Sequence, residues 1–309
     1  MGRGERLIEE FRAGRIRALA RAITLVERGD PAVRPLLDEV AGEAVRPVTW
    51  GFTGAPGSGK STLVDALLER LRARGLRVAV LAADPTSPFT GGAILGDRVR
   101  MQRHAGDDGV YIRSMGARGH LGGLSLASRE ALRLVGAFGF DRVVLETVGV
   151  GQSELEIAAV ADSTVVVLAP GAGDGIQMLK AGIMEIADLY CVNKADLPGA
   201  QRTLQEVRTM LNMAPKPPPG QPAWRPPIVA ASAVSGAGLD DLLEALGRHH
   251  EFLEASGERR RRTEARLREE TADLVAERAR AGALVRLDAD PGLLADGNPY
   301  LAADRIMRP

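Results

Sequence analysis

Val48-Thr-Trp-Gly-Phe-Thr53-Gly54-Ala-Pro-Gly57-Ser58-Gly59-Lys60-Ser61-Thr62 begins as a six-residue apolar run and turns into a glycine-rich loop. From Gly54 to Ser61 it satisfies G-x-x-x-x-G-K-[ST], and a helical pattern begins near Ser61, the strand–loop–helix context in which that spacing cradles phosphates. Glycines let the backbone wrap so that its N–H groups face the phosphate oxygens, and the helix amino terminus adds its partial positive charge. Lys60 is expected to bridge β- and γ-phosphates, and the Ser61 hydroxyl to ligate Mg²⁺. A chance glycine-rich turn would not also carry Lys, Ser and both flanking elements.

Outward from this loop, short apolar runs recur at Val78 to Ala82, Val110 to Arg113, Val143 to Leu145, Thr164 to Ala169, Leu189 to Val192 and Ile228 to Ala231. Helical periodicity fills most of the gaps, as in Leu63 to Leu71, Leu126 to Phe138, Leu155 to Val160 and Leu204 to Leu211. Seven runs alternating with helices predict βαβ units, hence an α/β fold with a doubly wound, mostly parallel sheet covered on both faces. Residues Leu7 to Glu27 carry apolar positions at helical spacing and precede the break Gly29-Asp-Pro31. After Leu239 the pattern is helical to Ala283. The reading divides the chain into a helical extension over residues 1–46, a nucleotide-binding domain over 47–250 and a second helical extension over 251–309. Ala214 to Pro227 is proline-rich and predicts a stiff surface loop, since a strand follows directly.

Two strand ends supply carboxylates for a metal. Asp84 follows the run Val78 to Ala82, and Glu146 follows Val143 to Leu145, so both emerge at the carboxyl edge of the sheet beside the phosphate loop. Mg²⁺ takes oxygen ligands and few protein side chains besides phosphate and water, which fits Ser61 with one or two such carboxylates. Strand-end carboxylates also serve as helix caps, the bland alternative. Asp97, in Gly96-Asp-Arg-Val-Arg-Met101, is a weaker third candidate. Gly149, in Glu146-Thr-Val-Gly, is placed for its N–H to meet a γ-phosphate.

Asn193-Lys194-Ala195-Asp196 follows the run Leu189 to Val192, and N-K-x-D at a strand end is the guanine-reading pattern. The Asp196 carboxylate accepts from guanine N1–H and the 2-amino group, donors that adenine does not offer. Lys194 can lie against the ring and Asn193 can brace the loop, while Ser232-Ala233 after the last strand would offer a backbone N–H to guanine O6. Phosphate loop, strand-end Glu-x-x-Gly, N-K-x-D and Ser-Ala in this order point to a Mg²⁺-dependent GTPase that cycles between GTP and GDP.

Composition narrows the setting. The 40 basic and 40 acidic residues cancel, which gives no support for a nucleic-acid or membrane footprint. No apolar run approaches the roughly 20 residues of a bilayer span, and Met1 to Arg12 is charged where a signal peptide is apolar, so the expected compartment is the cytoplasm. Cys191 is the single cysteine and lies in an apolar run, which predicts a buried strand residue. Basic residues are nearly all Arg; the lysines are Lys60, Lys180, Lys194 and Lys216, and two of these four sit in nucleotide motifs. Arg259 to Arg262 is interleaved with Glu258, Glu264, Glu269 and Glu270, a pattern read as a solvated helix face or an interface.

At this point the chain resembles a particular family. Gly54 to Thr62, Asp84-Pro-Thr-Ser-Pro88, Gly96 to Met101, Arg113-Ser-Met-Gly-Ala-Arg-Gly119, Glu146-Thr-Val-Gly-Val-Gly-Gln-Ser-Glu154, Pro170-Gly-Ala-Gly-Asp174 and Lys180 to Asp188 together look like the methylmalonyl-CoA mutase-associated GTPase chaperones. The match runs from about residue 45 to 245, and Asn298-Pro-Tyr-Leu-Ala-Ala-Asp-Arg305 looks familial too. The resemblance implies binding to a B12-dependent acyl-CoA mutase, gating of adenosylcobalamin transfer and protection of the mutase. It also implies a homodimer held by carboxyl-terminal helices, and switch loops near Asp84 to Asp97, Val148 to Glu154 and Gly173 to Lys180. The third loop commonly reads Gly-Asp-Glu-Leu-Gln-Gly-Ile-Lys in the family. Here Gly173-Asp-Gly-Ile-Gln-Met-Leu-Lys180 lacks the acidic residue after Asp174, which bears on partner coupling; a plain helix start is the simpler reading of the same stretch. A nickel-insertion GTPase would need a His-rich tract or a cysteine site, and this chain has four histidines, two of them the exposed-looking pair His249 and His250. A small-molecule kinase predicts an adenine site, which N-K-A-D opposes, and a purely scaffolding role is opposed by the intact phosphate motif.

Overall fold

The computed structural model describes residues 3–41, 46–84, 102–104, 106–116, 123–147, 153–171, 186–213 and 223–307. These form two compact units, Met1–Arg260 and Arg261–Pro309. The first is built on a seven-stranded sheet of β1 (Val48–Thr53), β2 (Val78–Asp84), β3 (Val110–Gly116), β4 (Arg142–Thr147), β5 (Ser163–Leu168), β6 (Leu189–Val192) and β7 (Ile228–Ala230). Every pairing is parallel and the order is β3-β2-β4-β1-β5-β6-β7. The doubly wound parallel sheet expected from the apolar runs is therefore present. The chain leaves β1 toward β2 on one side and later crosses to β5 on the other, so the reversal that opens a ligand crevice lies at β1.

Strand alternation sorts the core into layers. Trp50, Phe52, Val80 and Val144 face the helices α4 (Lys60–Ala73) and α8 (Leu239–Ala255), with Leu63, Leu67, Leu242 and Leu246 filling the layer. On the opposite face, Ala79, Val143 and Leu145 meet α5 (Gly123–Ala137) and α6 (Ser153–Val160), and the amino-terminal helices α1 (Arg3–Arg12), α2 (Ile16–Glu27) and α3 (Arg34–Ala41) extend that cluster through Leu7, Leu19, Ile23 and Leu36. Under the far strands, Val166, Tyr190 and Val192 pack with Leu204 and Val207 of α7 (Ala200–Met213). Cys191 is fully buried, as its apolar neighbours predict, and burial pushes its thiol up to about 12.

Three expectations need correction. The helical stretch Leu7 to Glu27 is two helices, because the chain turns at Gly14, whose φ is +70°; the later stretch likewise breaks at Gly257, φ +70°, between α8 and α9 (Glu258–Ala289). The pair His249 and His250 is not exposed. His249 is at 0% exposure, with Nδ1 2.7 Å from Ser163 Oγ, Nε2 3.3 Å from Asp188 Oδ1, and the Trp224 ring 4.7 Å away. His250 is partly buried, and desolvation, followed by the Arg259 charge, lowers its pKa. The second unit holds most of α9 and a short helix α10 (Pro299–Met307). Among the described residues no helix is long and apolar enough to cross a membrane.

Candidate nucleotide site

All seven strands point their carboxyl ends to one edge, and the sequence-predicted residues that can be described gather there. Gly54 leaves β1 at φ +140°, and a Cβ on it would lie 2.2 Å from the Val167 carbonyl oxygen of the neighbouring strand. Only a glycine lets the loop turn this close to β5. Gly59 caps α4 at φ +86°, and a Cβ there would meet Asn193 Nδ2 at 2.5 Å. Two of the motif's glycines are thus demanded by their neighbours, a strand carbonyl and the Asn193 amide, as well as by phosphate.

The loop is held by two lysines and an amide. Lys60, 5% exposed, donates to the carbonyls of Gly54 at 2.7 Å and Ala55 at 3.1 Å. Lys194 reaches across from the β6 end and donates to Gly57 O at 2.8 Å. It is the one described non-glycine residue at positive φ, +57°, a left-handed conformation that aims its stem back over the loop. Asn193, 1% exposed, donates through Nδ2 to Ser58 O at 2.9 Å and Gly59 O at 3.3 Å, and its Oδ1 accepts from the Ala233 N–H at 3.2 Å. One side chain therefore ties phosphate loop, N-K-x-D turn and Ser-Ala turn together. That brace was expected of Asn193 within its own loop; its reach to the other two was not.

The Ser61 hydroxyl donates to Glu146 Oε1 at 2.5 Å, and both residues are buried. Register explains the meeting, since Glu146 pairs with Phe52 at the end of β1, and α4 starts just beyond that strand. Next to it Thr147 Oγ1 donates to Thr53 Oγ1 at 3.2 Å. Thr62 is exposed on the first turn of α4. The backbone of Asp84 ends β2 opposite Gly116. Asp97, Gly149 and the loop Gly173 to Lys180 lie outside the described residues.

On the base side, Asp196 is exposed, and the Ser232 side chain, then its own backbone N–H, hold its carboxyl below the usual carboxylate range. Ser232 is 2% exposed and fixed by its own turn, its N–H donating to Ala237 O at 2.9 Å and its carbonyl accepting from Gly236 N at 2.8 Å. The carboxylate is thereby kept ionised, the form that accepts two hydrogen bonds. A hydroxyl oxygen beside a buried carboxylate at the foot of a phosphate loop is a hard-oxygen donor set that fits Mg²⁺.

Comparisons with known proteins agree with this geometry. Residues 19–285 match the family model described as methylmalonyl Co-A mutase-associated GTPase MeaB. A relative from Pyrococcus horikoshii is 44% identical over 308 residues, covering 98% of this chain and 97% of its own. The GTPase ArgK of Escherichia coli is 38% identical over 260 residues, 81% of this chain and 77% of the relative. A crystal structure of a LAO/AO transport system kinase superposes with a TM-score of 0.70 at 26% identity, covering 99% of this chain and 97% of that one.

Proposed function

This chain belongs to the MeaB family of methylmalonyl Co-A mutase-associated GTPases, and on that premise we propose that it is a GTP-driven chaperone of a B12-dependent acyl-CoA mutase, methylmalonyl-CoA mutase or a relative. In this reading it gates adenosylcobalamin loading and protects the mutase. The family is one of GTP hydrolases, and the chain binds guanine nucleotide as they do. The observation that carries the finer reading is the extent of the match: it runs from the amino-terminal helices to α9, well beyond the phosphate and base motifs that any GTPase needs.

The site residues take the following roles. Lys60, now satisfied by loop carbonyls, turns its ammonium to the β- and γ-phosphates, with Gly54, Gly57, Ser58, Gly59, Lys60, Ser61 and Thr62 lining the phosphate end. Ser61 and Glu146 would hold Mg²⁺, with Asp84 and Asp97 as the further carboxylates, and the ion would supply charge neutralisation on the transferring phosphoryl group. Glu146 accepts the Ser61 hydroxyl hydrogen bond, an orientation that would direct a lone pair of the hydroxyl oxygen to the cation. Gly149 offers its N–H to the γ-phosphate. Asp196 reads guanine, Lys194 lies along the ring, and Asn193, Ser232 and Ala233 fix the turn. Asp196→Asn should then let xanthosine nucleotides compete better than GTP, and an unchanged preference for GTP over XTP would remove Asp196 from base reading.

The second unit supports a homodimer through the extension 251–309: Leu267, Val275, Leu284 and Val285 of α9, and Tyr300 and Met307 of α10, are all exposed. The loop Gly173 to Lys180 is assigned to coupling with the mutase, so Asp174→Ala and Lys180→Ala should leave basal turnover within a few-fold and abolish its acceleration by mutase. The chaperone reading is tested by co-purification with a tagged acyl-CoA mutase in GTP and in GDP. A nucleotide-dependent complex is expected. No complex with either nucleotide would leave a GTPase without this partner.

A further inference from the structure

The phosphate-loop helix α4 carries Ser61, Asp65, Glu69 and Arg72 at spacings of four, four and three, which set them on one stripe, while Leu63, Val64, Leu67, Leu68 and Leu71 fill the core. Ser61 is engaged by Glu146. The other three grip the stretch that enters β3. His104 Nε2 lies 3.0 Å from Asp65 Oδ1, and the Arg103 guanidinium contacts Asp65 Oδ2 and reaches Glu69 Oε1 at 2.7 Å. Arg72 donates to both oxygens of Asp107, at 2.8 and 2.9 Å, and the same carboxylate accepts the Gly109 N–H at 2.8 Å. No nucleotide motif requires any of these residues.

Asp65 and His104 stand apart from the rest of this ladder. Their side chains are 9% and 8% exposed, whereas Arg103 and Glu69 are 48% and 54% exposed. An exposed ion pair contributes little, but a buried carboxylate is costly unless it is paired and hydrogen-bonded. A leucine at position 65 would avoid that cost on a helix whose neighbouring positions are apolar. What the buried pair adds is a directed contact: it fixes residues 102–104 on α4 one helical turn from the Ser61 hydroxyl.

We propose that Asp65 and His104 are positioning residues for GTP hydrolysis, holding the entry to β3 against the phosphate-loop helix so that Ser61 and Glu146 keep their alignment in the transition state. Neither belongs to the phosphate or base motifs. The proposal rests on the GTPase activity and is independent of the mutase reading. A misplacement of about 1 Å at a reacting centre can cost up to 10²-fold in rate, so a partial loss of about ten-fold is the scale expected when the pair is cut.

The test uses the full-length protein and the variants Asp65→Asn, His104→Leu, the two combined, and His104→Gln, whose amide can still donate to Asp65. Steady-state GTP turnover, GDP affinity by fluorescent-nucleotide titration and melting temperature are measured for each. Asp65→Asn and His104→Leu should each lower kcat by about ten-fold while KM and GDP affinity stay within about two-fold. The combined variant should lose no more than the worse single one, because the two act as a unit. His104→Gln should recover most of the rate. Unchanged kcat in both single variants overturns the proposal. So does a loss of rate matched by an equal loss of GDP affinity or of folded protein, which would make the contact structural only, and so does failure of the Gln variant to recover.

Discussion

Asn193 is the point where phosphate loop and base turns share one side chain, and its removal has a size that can be worked out. Asn193→Ala deletes the donor to Ser58 O at 2.9 Å, the longer contact to Gly59 O at 3.3 Å and the acceptor for the Ala233 N–H at 3.2 Å, at a site 1% exposed. Each polar group stranded in a buried site costs about 1–3 kcal/mol. One good bond and two long ones then sum to about 2–4 kcal/mol. For a domain of this size each kcal/mol moves the midpoint by about 2–4 °C, so the nucleotide-free variant should melt roughly 4–16 °C lower in a thermal scan. Whatever part of the brace GTP must rebuild on binding appears as weaker affinity, at about ten-fold per 1.4 kcal/mol, measured by titration calorimetry. Asn193→Asp is the sharper comparison. It keeps an acceptor for Ala233 but sets a carboxylate oxygen against the Ser58 carbonyl, replacing attraction by repulsion, and should be worse than alanine on both measures. A midpoint within about 1 °C of wild type together with unchanged GTP affinity in Asn193→Ala would refute the brace.

Gly54→Ala should abolish GTP binding while Gly57→Ala retains more of it, because the added methyl at 54 lies 2.2 Å from Val167 O and none is met within 4 Å at 57; equal losses by calorimetry would contradict this. Ser232→Ala should let the Asp196 carboxyl rise toward its ordinary 3.8, since the Ser232 hydrogen bond is the first cause of its depression. A carboxyl depressed in the folded state stabilises above its unfolded pKa and loses that contribution as pH falls through the folded value. The stability gap between wild type and Ser232→Ala should therefore close below about pH 4, as followed by carboxyl NMR titration and melting. Cys191, fully buried with its thiol pushed up to about 12, should resist a thiol reagent in the folded protein and react fully on unfolding; labelling at native pH without unfolding would contradict the burial.

The strands were legible because each is a short apolar run covered on both faces, and β1 and β6 begin and end where their runs do. β3 was read short. It continues past Arg113 to Gly116, and a charged residue inside a strand hides it; here, among the described residues, the strand pairs only with β2, and Arg113 turns to α2, donating to Thr24 Oγ1 at 2.9 Å and contacting Glu27. The helix α3 was missed because Pro35 interrupts its pattern, although a proline in the first helical turn costs no hydrogen bond. His249 looked exposed as half of a His-His pair, yet it falls on the buried stripe of α8 with Leu242, Leu246 and Leu253, and Trp224 and Asp188, 25 and 61 residues away in the chain, supply the partners that the stripe alone does not show. Chemistry close to a motif could be read, and chemistry assembled by the fold could not. The stripe Ser61, Asp65, Glu69 and Arg72 lies between, visible as spacing once α4 is known to bury its other faces.

The scarcity of lysine acquires a physical reason at the same place. Lys60 and Lys194 come from different strands' ends, yet both place their ammonium groups on carbonyls of the phosphate loop, at Gly54, Ala55 and Gly57. A guanidinium fork is matched to the two coplanar oxygens of a carboxylate or phosphate, whereas separate backbone carbonyls are met singly by ammonium N–H donors. A compact ammonium carries three N–H donors, so Lys60 can hold two loop carbonyls at once and turn toward a phosphate oxygen by a small rotation of its stem. Arginine would have to reorient its whole plane in a buried site. Two of the chain's four lysines thus hold the phosphate loop, and the bridge from Lys194 to Gly57 joins the turn of the base motif to that loop.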